Sequence, residues 1–358
     1  MIGRSSFNSA VGVSSPAALV LRQEVNSIRQ DEHETLEILF KNTDLSFAQK
    51  SIHECFHISG PGRPPRNPLG LLRTFIVMRM KGIRSLREMA RMLNTDPRLR
   101  RLCLIKKNEK GYPRTVLSRF TNRVGVEKLT SIIEEKVINL LKQNQAGEVD
   151  AILDATFIKA WSTRHPLDSH LGYSDVEARV GRTGRSYDLG YKLHISIDHE
   201  RRLPLASILA PANENEKKHC PTLLEKTRQL LTKAGTKLRT VIADSQYSSK
   251  KVRESAPEAI IPYPANQRRG VKNLLRVDRK FRTHGPEDQK NQYHKRSSVE
   301  AVNSFLKTQF SAAINKVRGL KQVTTYALYS LLSLVLIREA AVKTGKQEKA
   351  VSPTYFNT

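Results

Sequence analysis

Cysteine is nearly absent from this 358-residue chain: Cys55, Cys103 and Cys220 are its only three, far apart and without paired spacing. They can build neither a disulfide framework nor a zinc finger. The segment "HECFH", with His53, Cys55 and His57, offers three potential ligands but has no second ligand pair elsewhere, which argues against zinc. Long apolar runs are missing too; the longest, "YALYSLLSLVLI" at 326–337, is too short to span a bilayer and reads as a buried helix. The first residues, "MIGRSSFNSAVGVSSPAALVLRQ", are broken by Ser and Pro and make a poor signal peptide, so a cytoplasmic protein with no membrane partner is expected. Acid is scarce: 34 Asp and Glu stand against 61 Lys and Arg, a formal net charge of +27. That imbalance points to a polyanionic partner, nucleic acid first.

What is present is unevenly placed. Residues 1–62 are slightly acidic and read as an extension, helical in part, that serves an interface or stays flexible. From 63 to 123, seventeen basic residues face only Glu88, Asp96 and Glu109. The spacing there predicts short helices. "PRNPLGLLRTFIVMRMKG" ends at Gly82, and "SLREMARML" opens with a capping box of Ser85 and Glu88. "DPRLRRLCLI" restarts after Pro97, and "YPRTVLSRFTNRVG" carries Arg114, Arg119 and Arg123. A helix-turn-helix and a basic bundle gripping backbone phosphates both fit a domain over 63–145, and either binds DNA or RNA.

From 148 the pattern turns to β-rich runs at 149–161, 188–200 and 202–213. A helix ending at Gly235, strands at 237–249 and 258–264, and two further helices follow. This order predicts an α/β domain with a mixed sheet over 148–345, then a flexible tail at 346–358. "GRTGR", 181–185, lacks the phosphate-loop pattern and reads as a mobile Gly/Arg loop near nucleic acid. Trp161 and Tyr247 can stack on an unpaired base, although packing is the simpler role for both, and His194 reads as structural.

Acids occur where acids are costly. Asp154 lies within the apolar run "AILDATFI", and Asp244 closes "VIAD". A lone buried carboxylate costs several kcal/mol unless a cation compensates it, and Mg²⁺ suits a few carboxylate oxygens. A strand-end acid capping the next turn is the simpler reading of each, and Asp150 is a rival for Asp154. A third acid, Glu300, sits in "NQYHKRSSVEAVNSFLKTQF", 291–310. If this is one helix, advancing about 100° per residue, Tyr293, Arg296, Glu300 and Lys307 share an arc of roughly 60°. The stripe is either a solvated face of ion pairs or a metal-binding carboxylate flanked by groups that grip a polyanion. Three such carboxylates can hold two metal ions about 4 Å apart, as in-line phosphodiester displacement requires.

The spacing of Tyr293, Arg296, Glu300 and Lys307 resembles the Tyr-Arg-Glu-Lys signature of prokaryotic insertion-sequence transposases of the DDE class. "DATFIKAW" and "ADSQYSS" resemble the first- and second-aspartate motifs of that family, and the basic helices of 63–124 are similar to its N-terminal domain. The resemblance implies a ribonuclease-H-like mixed sheet flanked by helices, preceded by an all-α basic DNA-binding domain. It implies catalysis by Asp154, Asp244 and Glu300 as ligands of two Mg²⁺ or Mn²⁺ ions. Tyr293, Arg296 and Lys307 would contact the transposon end, with Arg114, Arg119 and Arg123 as further DNA contacts. The implied partner is double-stranded DNA at the nucleoid, both element ends and target, held by a homodimer. Only 56 residues separate Asp244 from Glu300, too few for the large β-rich insertion of some relatives. The basic interval 265–290 reads as a loop crossing DNA. A transposase-derived DNA binder without chemistry and a basic RNA-binding protein are the rivals.

Overall fold

The computed structural model describes residues 33–56, 66–163, 173–184, 186–263, 287–308 and 316–346. The expectations for 1–32, His57, Arg185, most of the basic interval 265–290 and the tail from 347 lie outside them. Helices come first: α1 (33–42), α2 (Ser46–His53), α3 (Pro68–Met80), α4 (Leu86–Thr95), α5 (Pro97–Leu102) and α6 (Arg114–Gln143). The start signals work as the residue types require. Asn67 caps α3 ahead of Pro68, the Glu88 N–H donates to Ser85 Oγ at 3.1 Å, and Asp96 caps α5 ahead of Pro97. A single residue, Asp96, therefore joins α4 to α5, a tighter joint than a helix-turn-helix uses. α6 is broken at Gly125, whose φ of +66° glycine tolerates at no steric cost.

The sheet contains β1 (Val149–Lys159), β2 (Arg179–Thr183), β3 (Ser186–Asp198), β4 (Pro204–Pro211), β5 (Leu238–Ala243) and β6 (Glu258–Ile260). Its order is β2-β3-β1-β5-β6, with β4 also on β3. β1, β3 and β4 are antiparallel neighbours, while β5 and β6 run parallel to β1. This is the ribonuclease-H-like mixed sheet, flanked by α7 (Glu216–Lys233) and the later helices. The stretch 181–185 is corrected from loop to strand where it is described: Gly181 to Thr183 belong to β2, a hairpin partner of β3. Gly181 is required there because a side chain would collide with the Ala212 carbonyl.

The single helix expected over 291–310 is also corrected. After α8 (Lys250–Glu254) come α9 (Glu287–His294) and α10 (Ser297–Thr308), separated by a turn at Lys295 and Arg296. Four successive i→i+3 hydrogen bonds tighten that joint, from Lys295, Arg296, Ser298 and Val299 back to Gln292, Tyr293, Lys295 and Arg296.

The last helix, α11 (Leu320–Lys343), is long and apolar enough to cross a membrane by composition, yet 78% of its apolar window is buried inside the fold. It ties the helical region to the sheet. The Phe75 ring of α3 lies 4.5 Å from that of Tyr329 and 5.7 Å from that of Phe120. Arg79, one of the seventeen basic residues, is fully buried, with its guanidinium 5.0 Å over the Tyr326 ring and donating to the Ile83 carbonyl. Burial lowers its pKa to about 10. α6 and α11 are further joined by Lys136 and Glu339, 2.6 Å apart, with side chains only 6% and 3% exposed. Lys136 also donates to the Asp44 carbonyl, and Lys343 donates to Glu339.

Removing one member of a buried ion pair strands the other charge. Lys136→Met is expected to lower stability by about 3 kcal/mol, and adding Glu339→Leu to recover most of that loss. Urea unfolding of the two variants measures both, and an unchanged midpoint for Lys136→Met would mean the pair adds nothing.

Candidate active site

β1 outruns its parallel neighbour. Pairing between β1 and β5 ends at Leu153 opposite Ala243, after which β1 continues to Lys159 and the chain leaves β5 through Asp244. Asp154 and Asp244 are the next residues on the two strands, so they meet where the strands diverge. This is the crevice at the carboxyl ends of strands in which α/β sheets bind ligands. Asp244 also caps the short 3₁₀ turn Ser245–Tyr247 by accepting from the Gln246 N–H at 2.9 Å.

Electrostatics sets these two acids apart. Asp244 is pushed up to about 6, by burial first and then by the charge of Asp154. Burial likewise raises Asp154, with Arg296 pulling the other way and Glu300 adding to the rise. Asp150, the sequence rival, sits at the other end of β1 with cations of its own. Arg239 holds it through Nε at 2.8 Å and a second nitrogen at 2.7 Å, and Lys295 donates at 2.9 Å. Burial alone would raise Asp150, but these donors outweigh it and bring the carboxyl to about 2. Asp150 is neutralised within the chain, whereas the Asp154 and Asp244 pair is not.

Arg296 answers that pair from the α9–α10 joint. Its guanidinium lies 3.8 Å from Asp154 and 2.9 Å from Glu300, with its side chain 13% exposed. Burial works against the arginine's charge, yet Asp154, Tyr293, Asp244 and Glu300 together raise its pKa. Glu300 itself is 55% exposed and turned to Arg296 rather than to the aspartates. Among the described residues no group of three or more His, Cys, Asp or Glu side chains is gathered closely enough to hold a metal ion. The donors are nevertheless of the right kind: two carboxylates with raised pKa and a third within electrostatic reach are hard oxygen ligands lacking charge balance. Arg296 Nε and Asn303 Oδ1, both buried here, have no hydrogen-bond partner among the described residues.

The remaining sequence candidates separate. Lys307 is exposed and lines a cavity of about 730 Å³ together with Asp154 and Asp244. Tyr293 is 1% exposed, so the stripe presents Arg296, Glu300 and Lys307 but not the tyrosine ring. Arg114, Arg119 and Arg123 are exposed on α6. Tyr247 is buried, its hydroxyl 3.5 Å from Nδ1 of the equally buried His194, while Trp161 is 46% exposed. Two residues of the site were missed in the sequence. Asn303 donates to Asp154 at 2.8 Å, and its position three residues after Glu300 was the available signal. Lys192 lies in the cavity wall, paired with Glu216 at 2.6 Å.

Comparison with known proteins follows the same division of the chain. Residues 145–336 match the family model Transposase DDE domain, and residues 23–123 match Transposase domain (DUF772). No curated protein matches the sequence. Among solved structures, one similar chain is the piggyBac transposase in a synaptic complex with hairpin DNA. It is 10% identical, with 90% of this chain and 77% of that one covered and a TM-score of 0.43. The Mos1 transposase paired-end complex with left transposon end is 12% identical over 84% of this chain and 82% of that one, at a TM-score of 0.21. The pre-cleavage Mos1 transpososome is 11% identical over 90% and 98%, also at 0.21. Likenesses of that size are not needed for the fold, which follows from the strand order itself. With more than half of its length matched by one family model, the chain belongs to the DDE transposases.

Proposed function

We propose that this transposase binds the ends of its own insertion sequence, hydrolyses the phosphodiester at each end and transfers the freed 3′-OH to target DNA. The observation that carries the reading is the meeting of Asp154 and Asp244 where β1 and β5 diverge, two desolvated carboxylates without a full counter-charge. Asp154, Asp244 and, on release from Arg296, Glu300 would hold Mg²⁺ or Mn²⁺, two ions in the complete site. Bound there, the ions supply Lewis-acid activation of the attacking oxygen and stabilise the leaving one.

The chain's own residues position the substrate. Arg296, on releasing Glu300, would offer the freed end of its guanidinium to a phosphate oxygen, and Lys307 adds a second cation on the cavity rim. Asn303 fixes the Asp154 carboxylate from the α10 side. Water attacks in the cut and the 3′-hydroxyl in the joining step, so catalysis rests on placement and charge neutralisation without a covalent enzyme intermediate. Arg114, Arg119 and Arg123 hold element DNA by its phosphates. Two copies of the chain pair the two ends, at the nucleoid in the cytoplasm.

Two experiments test the reading. Purified protein with Mg²⁺ should cut labelled duplex at the element boundary, with EDTA abolishing the cut and Glu300→Gln slowing it on the order of a thousandfold. Binding without any cut by wild type would instead make the chain a DNA-binding descendant.

The second test concerns Asp244. In the folded chain it ionises near pH 6, while the unfolded chain ionises it near its ordinary 3.8. The unfolded state then binds fewer protons between those values, so the metal-free fold loses stability as pH rises, by at most roughly 3 kcal/mol. In EDTA, Asp244→Asn should melt a few degrees above wild type at about pH 7.5 and level with it at about pH 3, below the unfolded value. Coincident melting curves at the higher pH would show that the carboxylate is not held in a desolvated state.

A further inference from the structure

Six large apolar side chains are exposed among the described residues, and five of them, Trp161, Tyr173, Val176, Val180 and Tyr187, lie between 161 and 187. Scattered exposed apolar groups are ordinary, but a concentration in one segment of a strongly basic chain asks for a partner. The largest exposures fall on Val176 at 76% and Tyr187 at 73%. Strand register gives the hairpin a consistent face. Val180 is paired with Leu189 and Arg182 with Tyr187, so these four side chains share one side of the β2–β3 ribbon. Asp154 is paired with Ile195, and odd-numbered residues of β3 alternate onto the same side, so that side is also the side of Asp154.

Cations are interleaved with these groups. Arg179, Arg182, Lys316 and Arg318 are exposed and form no ion pair with the described acids, and the Lys316 ammonium lies 5.5 Å over the Trp161 ring. The surface also continues into the helical region through a chain of hydrogen bonds. Arg318 donates to the Trp161 carbonyl, Gly319 N–H to Asp175, Leu320 N–H to Glu177, and Gln322 to Asn122 of α6. Asn122 lies between Arg119 and Arg123 on the exposed face of α6.

We propose that the β2–β3 hairpin, through Val180, Arg182 and Tyr187 with Trp161, Arg179 and Lys316 beside it, is a second duplex-binding surface that grips the element's own end. It rests on the reading of the chain as a transposase that binds those ends. A two-stranded ribbon fits a DNA groove, apolar and aromatic side chains wedge against base steps, and unpaired arginines meet the flanking phosphates. The occupant is the end duplex because Arg179, Arg182, Lys316 and Arg318 stand exposed beside the apolar groups without ion pairs to the described acids, the charge that duplex phosphates complement, and Gln322 ties this region to Asn122 between the α6 arginines. Eight residues of β3, about 26 Å of extended strand, separate Tyr187 from Ile195, the partner of Asp154, while Arg182 lines the same cavity as Asp154 and Asp244, so the contact begins beside the acids and reaches out to roughly eight base pairs along the duplex.

The test uses full-length protein and a labelled duplex carrying the terminal inverted repeat beside the gene, with a scrambled duplex and a target-only duplex as separate arms. Hydroxyl-radical footprinting of wild type is expected to show a protected patch roughly eight base pairs from the cut. Tyr187→Ser with Val180→Ser should erase that patch and weaken binding to the repeat duplex about tenfold, while a duplex trimmed short of the patch binds both proteins equally. Circular dichroism and the melting temperature of the variant verify that the fold is retained. An unchanged footprint and affinity would overturn the inference, as would a loss confined to the target-only arm or a change of sedimentation from dimer to monomer. Failure of wild type to bind the repeat at all would instead defeat the transposase reading itself.

Discussion

Two like charges, those of Asp154 and Asp244, are held together in a place that water reaches poorly, and the repulsion between them must be met by a cation. In the structure that cation is Arg296, fixed by the turn between α9 and α10 rather than by a helix interior. The tightened joint turns the guanidinium toward β1, and α10 begins one residue later, bringing Glu300 and Asn303 to the same place. An arginine within reach of all three acids offsets only part of their charge, and the two aspartates stay raised despite it.

Such a site needs a rigid backing, since carboxylates that repel one another would move apart on mobile loops. The backing is the core that α11 shares with both parts of the chain. Phe75 of the basic helices stacks between Phe120 and Tyr329, while Lys136 and Glu339 lock α6 against α11 from within. The basic helices are therefore not an appendage on a separate linker. Arg79 illustrates the cost of that arrangement: a cation that composition assigns to the nucleic-acid surface is spent on an aromatic face in the interior.

Much of this was legible in the residues. The strand runs around Asp154 and Asp244 and the capping box of Ser85 and Glu88 act through neighbours a few positions away, which is the range over which sequence pattern speaks directly. The continuous helix over 291–310 failed for the complementary reason. Its apolar spacing is helical on both sides of Arg296, and the break falls where that arginine meets Asp154 of β1, a contact 142 positions away in the chain. β2 escaped notice because its five residues, "RVGRT", carry no apolar alternation and become a strand only by pairing with β3. The sequence placed Asp154 ahead of Asp150, its rival on the same strand. What it did not reveal is that Arg239, 89 residues away, and Lys295, 145 residues away, neutralise Asp150.

By itself, the sequence determined the excess of positive charge, most of the order of helices and strands, and the acids with their signature spacing, because charge totals and local periodicity are properties of the chain alone. Tertiary structure decided which acids remain uncompensated, that Tyr293 is interior while Tyr187 is exposed, and that Glu300 rests on Arg296. Those outcomes depend on burial and on distances between residues far apart in the chain, and both come into being only when the sheet and α11 close around one core.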